Sequence, residues 1–305
     1  MSSVKLHPEW ELVWQAIKLM PKPVINDVYD LRKYTNIALA ASIATLEAPE
    51  GVEETKHTIQ SLDGTNFDRA ILYAYGGGMV AGSVDIWRVA IQELAHRTGS
   101  QVFAVSYRLA PEHPAPAAVE DFYSAAKWLQ SQAAELNVDP KRVVLYGKSA
   151  GGGIAAGAAL LARDKGLPHP LAAIALTYPM LDDRTALPAD HPLQQYFLWT
   201  SQANDLGWAA LLGREREERT DENVSIYAAP ARAKDLSGLP DTFIDVGGLD
   251  LLNNEDIEFA RRLAAAGVYV ELHHYPGVAH GFDSVGALRI SQEAVSNQTK
   301  FFKQY

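Results

Sequence analysis

The chain has 305 residues, 48% of them apolar, a formal net charge of −10 and no cysteine. That length holds a large core, either as one α/β domain with insertions or as two domains. The acidic balance argues against nucleic acid or an anionic membrane as the main partner, and the missing cysteines exclude disulfides and thiolate metal sites. Pro8 to Met20 and Ile25 to Leu46 predict two amphipathic helices, parted by Pro21 and Pro23. Thr55 to Ser61 predicts a strand, and Arg69 to Tyr75 a second that ends in Gly76-Gly77-Gly78. Ile86 to Thr98 predicts a helix, Gln101 to Ser106 a strand and Pro116 to Leu136 a long helix. Arg142 to Tyr146 is a β-branched apolar run, followed by the small-residue helix Ala150 to Leu161 and the strand Ala172 to Tyr178. Leu181 to Asp235 carries no strand pattern and has an aromatic-rich helical centre. Thr242 to Val246 and Val268 to Tyr275 predict strands around a helix over Glu255 to Ala266, and the C-terminus predicts a helix. Strand–helix alternation of this kind implies a doubly wound, mostly parallel sheet. No run of about 18 apolar residues occurs, so no membrane span is expected. The polar start through Glu9 does not read as a secretory signal, and a cytoplasmic location is expected.

Ligands of open parallel sheets bind beyond the carboxyl ends of the strands. The loops there carry the chemistry. Gly147-Lys148-Ser149-Ala150-Gly151 sits at a strand-to-helix turn, the setting of a nucleophile elbow. The tight turn admits only small residues two positions either side of Ser149, and the helix N-terminus below favours developing negative charge. Gly247-Gly248-Leu249-Asp250 follows the strand Thr242–Val246, and Gly277-Val278-Ala279-His280 follows Val268–Tyr275. The order Ser, Asp, His is that of the α/β-hydrolases. A serine hydroxyl needs an adjacent base, which His280 supplies, and a carboxylate, Asp250, to fix the imidazole tautomer. Asp245 falls on a strand and Asp256 within a helix, while His273 and His274 fall on a strand; structural roles are expected for these. Adjacent glycines let backbone N–H groups approach a developing oxyanion. No H-E-x-x-H or similar spacing suggests a metal, and no cofactor is expected.

Tyr75-Gly76-Gly77-Gly78, Tyr107-Arg108-Leu109-Ala110-Pro111-Glu112, Gly147 to Gly152, Asp250-Leu251-Leu252 and His280-Gly281-Phe282 stand in the order of a known family. The chain resembles the hormone-sensitive-lipase-like, or bacterial family IV, esterases of the α/β-hydrolase superfamily. The resemblance implies an α/β-hydrolase fold, a central parallel sheet flanked by helices, with a helical cap. The cap would comprise residues 1–50 and 181–235, and the catalytic domain 51–180 and 236–305. It implies Ser149 as nucleophile, Asp250 as acid, His280 as base, and the N–H groups of Gly77, Gly78 and Ala150 as the oxyanion hole. The implied activity is hydrolysis of short-to-medium acyl, partly apolar esters through an acyl-enzyme. A lactonase, an acyltransferase or a lyase would use the same site. A non-catalytic small-ligand receptor on this fold is a further reading, set against by the presence of His280.

Two positions depart from the family pattern. Tyr75 stands where the family has His, and is expected to brace the glycine loop. Lys148 stands where the family has an acid. Its ammonium is expected to disfavour the imidazolium of His280 or to contact an acidic or carbonyl-rich substrate, the alternative being a solvent-facing lysine. Met79, Lys148, Tyr196, Trp199 and Trp208 are the expected substrate contacts, with Trp10, Trp14 and Met20 as further lid candidates. Glu112 reads as a structural carboxylate, with Arg108 paired to it or to another nearby acid. A homodimer is expected, formed along Val268–Tyr275.

Overall fold

In a computed structural model, residues 4–305 are described except 45, 53, 55–68 and 189. The strand expected at Thr55–Ser61 lies outside the described residues. Among the described residues, six strands form one parallel sheet in the order β2-β1-β3-β4-β5-β6. They are β1 (Ala70–Ala74), β2 (Gln101–Ala104), β3 (Val143–Lys148), β4 (Ala173–Thr177), β5 (Asp241–Gly247) and β6 (Val270–Tyr275). β1 and β4 are buried at every residue, as expected for central parallel strands covered on both faces. Among the described residues β2 and β6 stand at the two ends of this order, and they are half-exposed along most of their length.

The helices are α1 (Pro8–Leu19), α2 (Val28–Ile43), α3 (Val84–Thr98), α4 (Ala117–Ser131), α5 (Ala150–Lys165), α6 (Ser201–Leu212), α7 (Asn253–Ala265) and α8 (Arg289–Phe302). Successive strand residues point to opposite faces. On β3, Gly147 faces α5 and Tyr146 reaches Phe302 of α8, with ring centroids 5.1 Å apart. α4 and α5 pack together on the first face, α3 and α8 on the second. Lys148, two residues beyond Tyr146, shares the α8 face.

Differences from the expected elements have local causes. α4 stops at Ser131 rather than Leu136: Gln132 leaves the helical conformation (φ −109°, ψ 10°), and turns follow up to Asn137 (φ 57°). β6 starts at Val270, since the N–H of Val268 closes the exit of α7 by donating to Leu263 O instead of joining the sheet.

The core has two parts. The larger surrounds the sheet, and α2 joins it by packing on α3 and α6. The smaller gathers Trp10 and Trp14 of α1 with Tyr275, Val278, Ala279, Phe282 and Ile290. α1 is therefore docked on the loop that follows β6, where the N–H of His7 donates to Gly277 O (2.8 Å). No helix among the described residues is long and apolar enough to cross a membrane.

Candidate active site

The chain runs from β1 outward to β2, then crosses back to β3 on the other side of β1. That reversal opens a crevice between the carboxyl ends of β1 and β3. The Gly76–Gly78 loop leaves β1 and Ser149 leaves β3, so both expected loops border it.

Ser149 has φ 54° and ψ −122°, a strained setting for a residue with a Cβ. Close backbone packing enforces it. A Cβ on Gly147 would lie 2.0 Å from Gly151 O, and one on Gly151 would lie 2.1 Å from Ala74 O. The N–H of Ser149 donates to Thr177 O (2.9 Å), and Ser149 O accepts from Gly152 (2.9 Å) and Met180 (3.0 Å). Strand, turn and helix are thus pinned around the one hydroxyl.

His280 Nε2 lies 2.9 Å from Ser149 Oγ, and His280 Nδ1 lies 2.6 Å from Asp250 Oδ2. The Asp250 side chain is fully buried, and its Oδ1 accepts from the N–H of Leu252 (3.0 Å). The two loops are stitched together by Gly248 N–H to Tyr275 O (2.8 Å) and Leu249 N–H to Val278 O (2.9 Å). The structure therefore brings Ser149, His280 and Asp250 into one hydrogen-bonded line. Asp245 and Asp256 stay outside it. Burial pushes the Asp245 carboxyl up to about 8 and that of Asp256 well above the usual range.

The N–H groups of Gly77 and Gly78 have no acceptor among the described residues, nor does that of Ala150 in the first turn of α5. Gly77 (φ 147°) and Gly78 (φ 61°) lie in the left-handed region open to glycine. Their loop is braced from two sides. Tyr75 stacks on Tyr107, with centroids 4.3 Å apart, and Tyr107 OH donates to Tyr75 O (2.6 Å). Burial raises the Tyr75 phenol to about 12, so it stays neutral. From α2, Arg32 donates to Val80 O (2.6 Å), Ala110 O (2.6 Å) and both oxygens of Glu112, while Asn36 Oδ1 accepts from Gly82 N–H (2.8 Å). Glu112 is thus held by Arg32, and Arg108 pairs with Asp121 (2.7 Å).

Among the expected substrate contacts, Trp199 lies on the glycine loop: a Cβ on Gly78 would meet its six-membered ring at 2.2 Å. The indole is oriented by its Nε1–H bond to Asn204 Oδ1 (3.0 Å). Met79, at φ 67°, is buried and puts its methyl near Gly153. Tyr196 packs on Trp14, 5.4 Å between centroids. Trp10 and Trp14 belong to the smaller core, and Met20 is 63% exposed. Two expectations are corrected. Trp208 is wholly buried in the larger core and offers no surface to a ligand. Lys148 is neither solvent-facing nor presented to substrate. Its ammonium is committed to Asp283, with 15% of the lysine side chain and 5% of the aspartate side chain exposed.

That pair belongs to a buried polar group the sequence did not disclose. Tyr178 OH donates to Asp283 Oδ1 (2.6 Å), and the Tyr178 ring packs on the His280 imidazole, 4.5 Å between centroids. Burial opposes the charge of Asp283, but Lys148 outweighs it and holds the carboxyl below its ordinary range. Burial likewise opposes the charge of Lys148, and Asp283 leaves its amine raised. Strand parity was the available signal for Lys148, since it shares a face with the buried Tyr146.

Residues 71–284 match the model of a family described as having the alpha/beta hydrolase fold. The chain is 37% identical to esterase LipI of Mycobacterium tuberculosis over 218 residues, 70% of this chain and 65% of that protein. It thus spans just under two thirds of that relative. Among solved structures, a bacterial heroin esterase superposes with a TM-score of 0.82 at 34% identity, covering 98% of this chain and 97% of the other. An esterase of the bacterial hormone-sensitive lipase family superposes at 0.81 with 26% identity, covering 99% of each chain.

Proposed function

Because the chain belongs to the alpha/beta hydrolase fold family, we propose that it is a serine carboxylic ester hydrolase for partly apolar esters of short-to-medium acyl length. The hydrogen-bonded line from Ser149 through His280 to Asp250, beside N–H groups without acceptors, carries this reading. Ser149 Oγ attacks the ester carbonyl while His280 Nε2 takes its proton. Gly77, Gly78 and Ala150 donate to the oxyanion, each donor worth about 3 kcal/mol. Asp250 stabilises the imidazolium and holds its tautomer. His280 returns the proton to the departing alkoxide, then activates a water that hydrolyses the acyl-enzyme. No cofactor enters this scheme.

The names of the three relatives given above, each an esterase, support ester substrates. In this reading residues 1–50 and 181–235 form the cap, with Met79, Tyr196 and Trp199 shaping the acyl side. A cytoplasmic site of action fits the cysteine-free sequence. The half-exposed strand β6, with Leu272 40% exposed and Tyr269 just before it 60% exposed, is the face for a homodimer, to be tested by light scattering.

The test is turnover of p-nitrophenyl esters from acetate to decanoate by wild type and Ser149→Ala. Activity lost in the variant, with Ser149 labelled by an alkyl phosphonate in wild type, is expected. An active Ser149→Ala, or a wild type that neither turns over esters nor takes the label, overturns the reading.

A further inference from the structure

The chain carries a lysine beside its candidate nucleophile, next to a base that must become cationic. A lone ammonium there would oppose that step. We propose that Lys148, Asp283 and Tyr178 form a positioning device for His280: the ion pair cancels the lysine's charge and anchors the phenol that backs the imidazole. The proposal rests on reading Ser149 and His280 as nucleophile and base, and goes beyond it by giving the neighbouring residues a task.

Three observations carry it. The pair closes over 135 residues of sequence, between the end of β3 and the 3-10 turn Phe282–Ser284. Both side chains are largely buried, where a mismatch of charge is felt strongly. And Asp283 has a second commitment, to Tyr178 OH (2.6 Å), whose ring lies 4.5 Å from that of His280. Tyr178 itself takes φ 36°, and its N–H is fixed to Asp245 O (2.7 Å). The device thus joins the end of β3, the end of β4 and the loop after β6, which meet beside His280.

Other ionisable groups surround it. Arg97 of α3, Tyr73 of β1, Tyr146 of β3 and Asp245 of β5 all act on Asp283 or Lys148 or are acted on by them. Arg97 is held by Val295 O (3.0 Å), Thr299 Oγ1 (2.7 Å) and Gln298. Its charge acts on Asp283 in the same direction as that of Lys148. Asp250 and Tyr178 are the groups directly against His280.

The device predicts opposite effects from its two ends. Lys148→Met leaves Asp283 unmatched, which favours the imidazolium. His280 then loses its proton less readily, and the acid limb of kcat/KM moves to higher pH. Asp283→Asn leaves Lys148 unmatched, which disfavours the imidazolium, and the limb moves to lower pH. Shifts of about half a pH unit or more are expected in each direction. The neutral pair Lys148→Met with Asp283→Asn should bring the limb back near wild type, because removing both charges is far milder than removing one. Tyr178→Phe keeps the ring and loses the bond to Asp283; kcat should fall several-fold with KM unchanged.

The experiment is the pH profile of p-nitrophenyl acetate hydrolysis for these four variants, with phosphonate labelling of Ser149 to count intact sites. Single variants that label fully but shift in the same direction, or not at all, overturn the device. So does a double variant that stays as displaced as either single one. A wild type that neither labels nor turns over overturns the ester-hydrolase reading itself, and the proposal with it.

Discussion

Arg32 ties α2 to the oxyanion loop, and its removal separates stability from chemistry. Arg32→Met deletes two charge-assisted bonds, to Val80 O and Ala110 O, and leaves both carbonyls without that donor. Bonds to a charged group contribute about 1.5–3 kcal/mol each, and Arg32 is a quarter exposed, so about 2–4 kcal/mol of stability should be lost. The Glu112 contact is nearly half exposed and adds little. The loop consequence is larger. Val80 lies two residues beyond Gly78, and Ala110 N–H holds Met79 O (3.0 Å), so both anchors of the glycine loop slacken. One misplaced oxyanion donor costs on the order of 10²–10³ in kcat, and a loosened one should cost about ten- to a hundredfold. Urea unfolding measures the first effect, and kcat for p-nitrophenyl acetate the second. Arg32→Lys keeps a charge but cannot span three acceptors, and should recover little of either. A kcat within twofold of wild type, alongside the lost stability, would refute the coupling of α2 to the oxyanion loop.

Trp199→Ala should open the acyl side above Gly78, raising kcat/KM for decanoate relative to acetate by roughly tenfold, the scale of a changed hydrophobic pocket; an unchanged chain-length profile would place the acyl group elsewhere. Gly151→Ala should give little soluble, labelled protein, because its Cβ would lie 2.1 Å from Ala74 O with only backbone to give way. Burial pushes the Glu255 carboxyl up to about 8, so the folded chain holds a proton that the unfolded chain releases near pH 4.5. Stability from this group is present below the unfolded pKa and is lost as pH rises toward 8, with a slope of at most about 1.4 kcal/mol per pH unit. Glu255→Gln keeps an acceptor for Leu181 N–H and should flatten that slope, read as urea midpoints at pH 5 and pH 8.

What was legible in the sequence is what lies close along it. Gly147 to Gly151 encode a strand, a tight turn and a helix within a few residues, so the position of Ser149 is written locally. Asp250 and His280 each follow a strand within a few residues, and parallel strands place all such loops at one edge. The pairs were not legible. Arg32 with Glu112 and Lys148 with Asp283 join residues 80 and 135 positions apart, of types whose default place is the surface. Arg108 was expected on Glu112 or another nearby acid and takes Asp121, while the arginine that holds Glu112, Arg32, lies too far along the chain to have been expected. Trp208 was misjudged because an aromatic residue in a cap-like segment reads the same whether it faces ligand or core.

The docking of α1 has a consequence for how the molecule is made. Glu9 accepts from Arg289, 280 residues later, and Trp10 and Trp14 close over the segment that carries His280. During synthesis α1 emerges well before the surface it needs, which lies between β6 and α8. Until then Trp10 and Trp14 lack their packing surface, and the growing chain is open to unwanted association there. By the same order of events, a partly made chain already has its serine elbow but no histidine beside it. The burial of α1 and the meeting of Ser149 with His280 therefore wait on the same late segment.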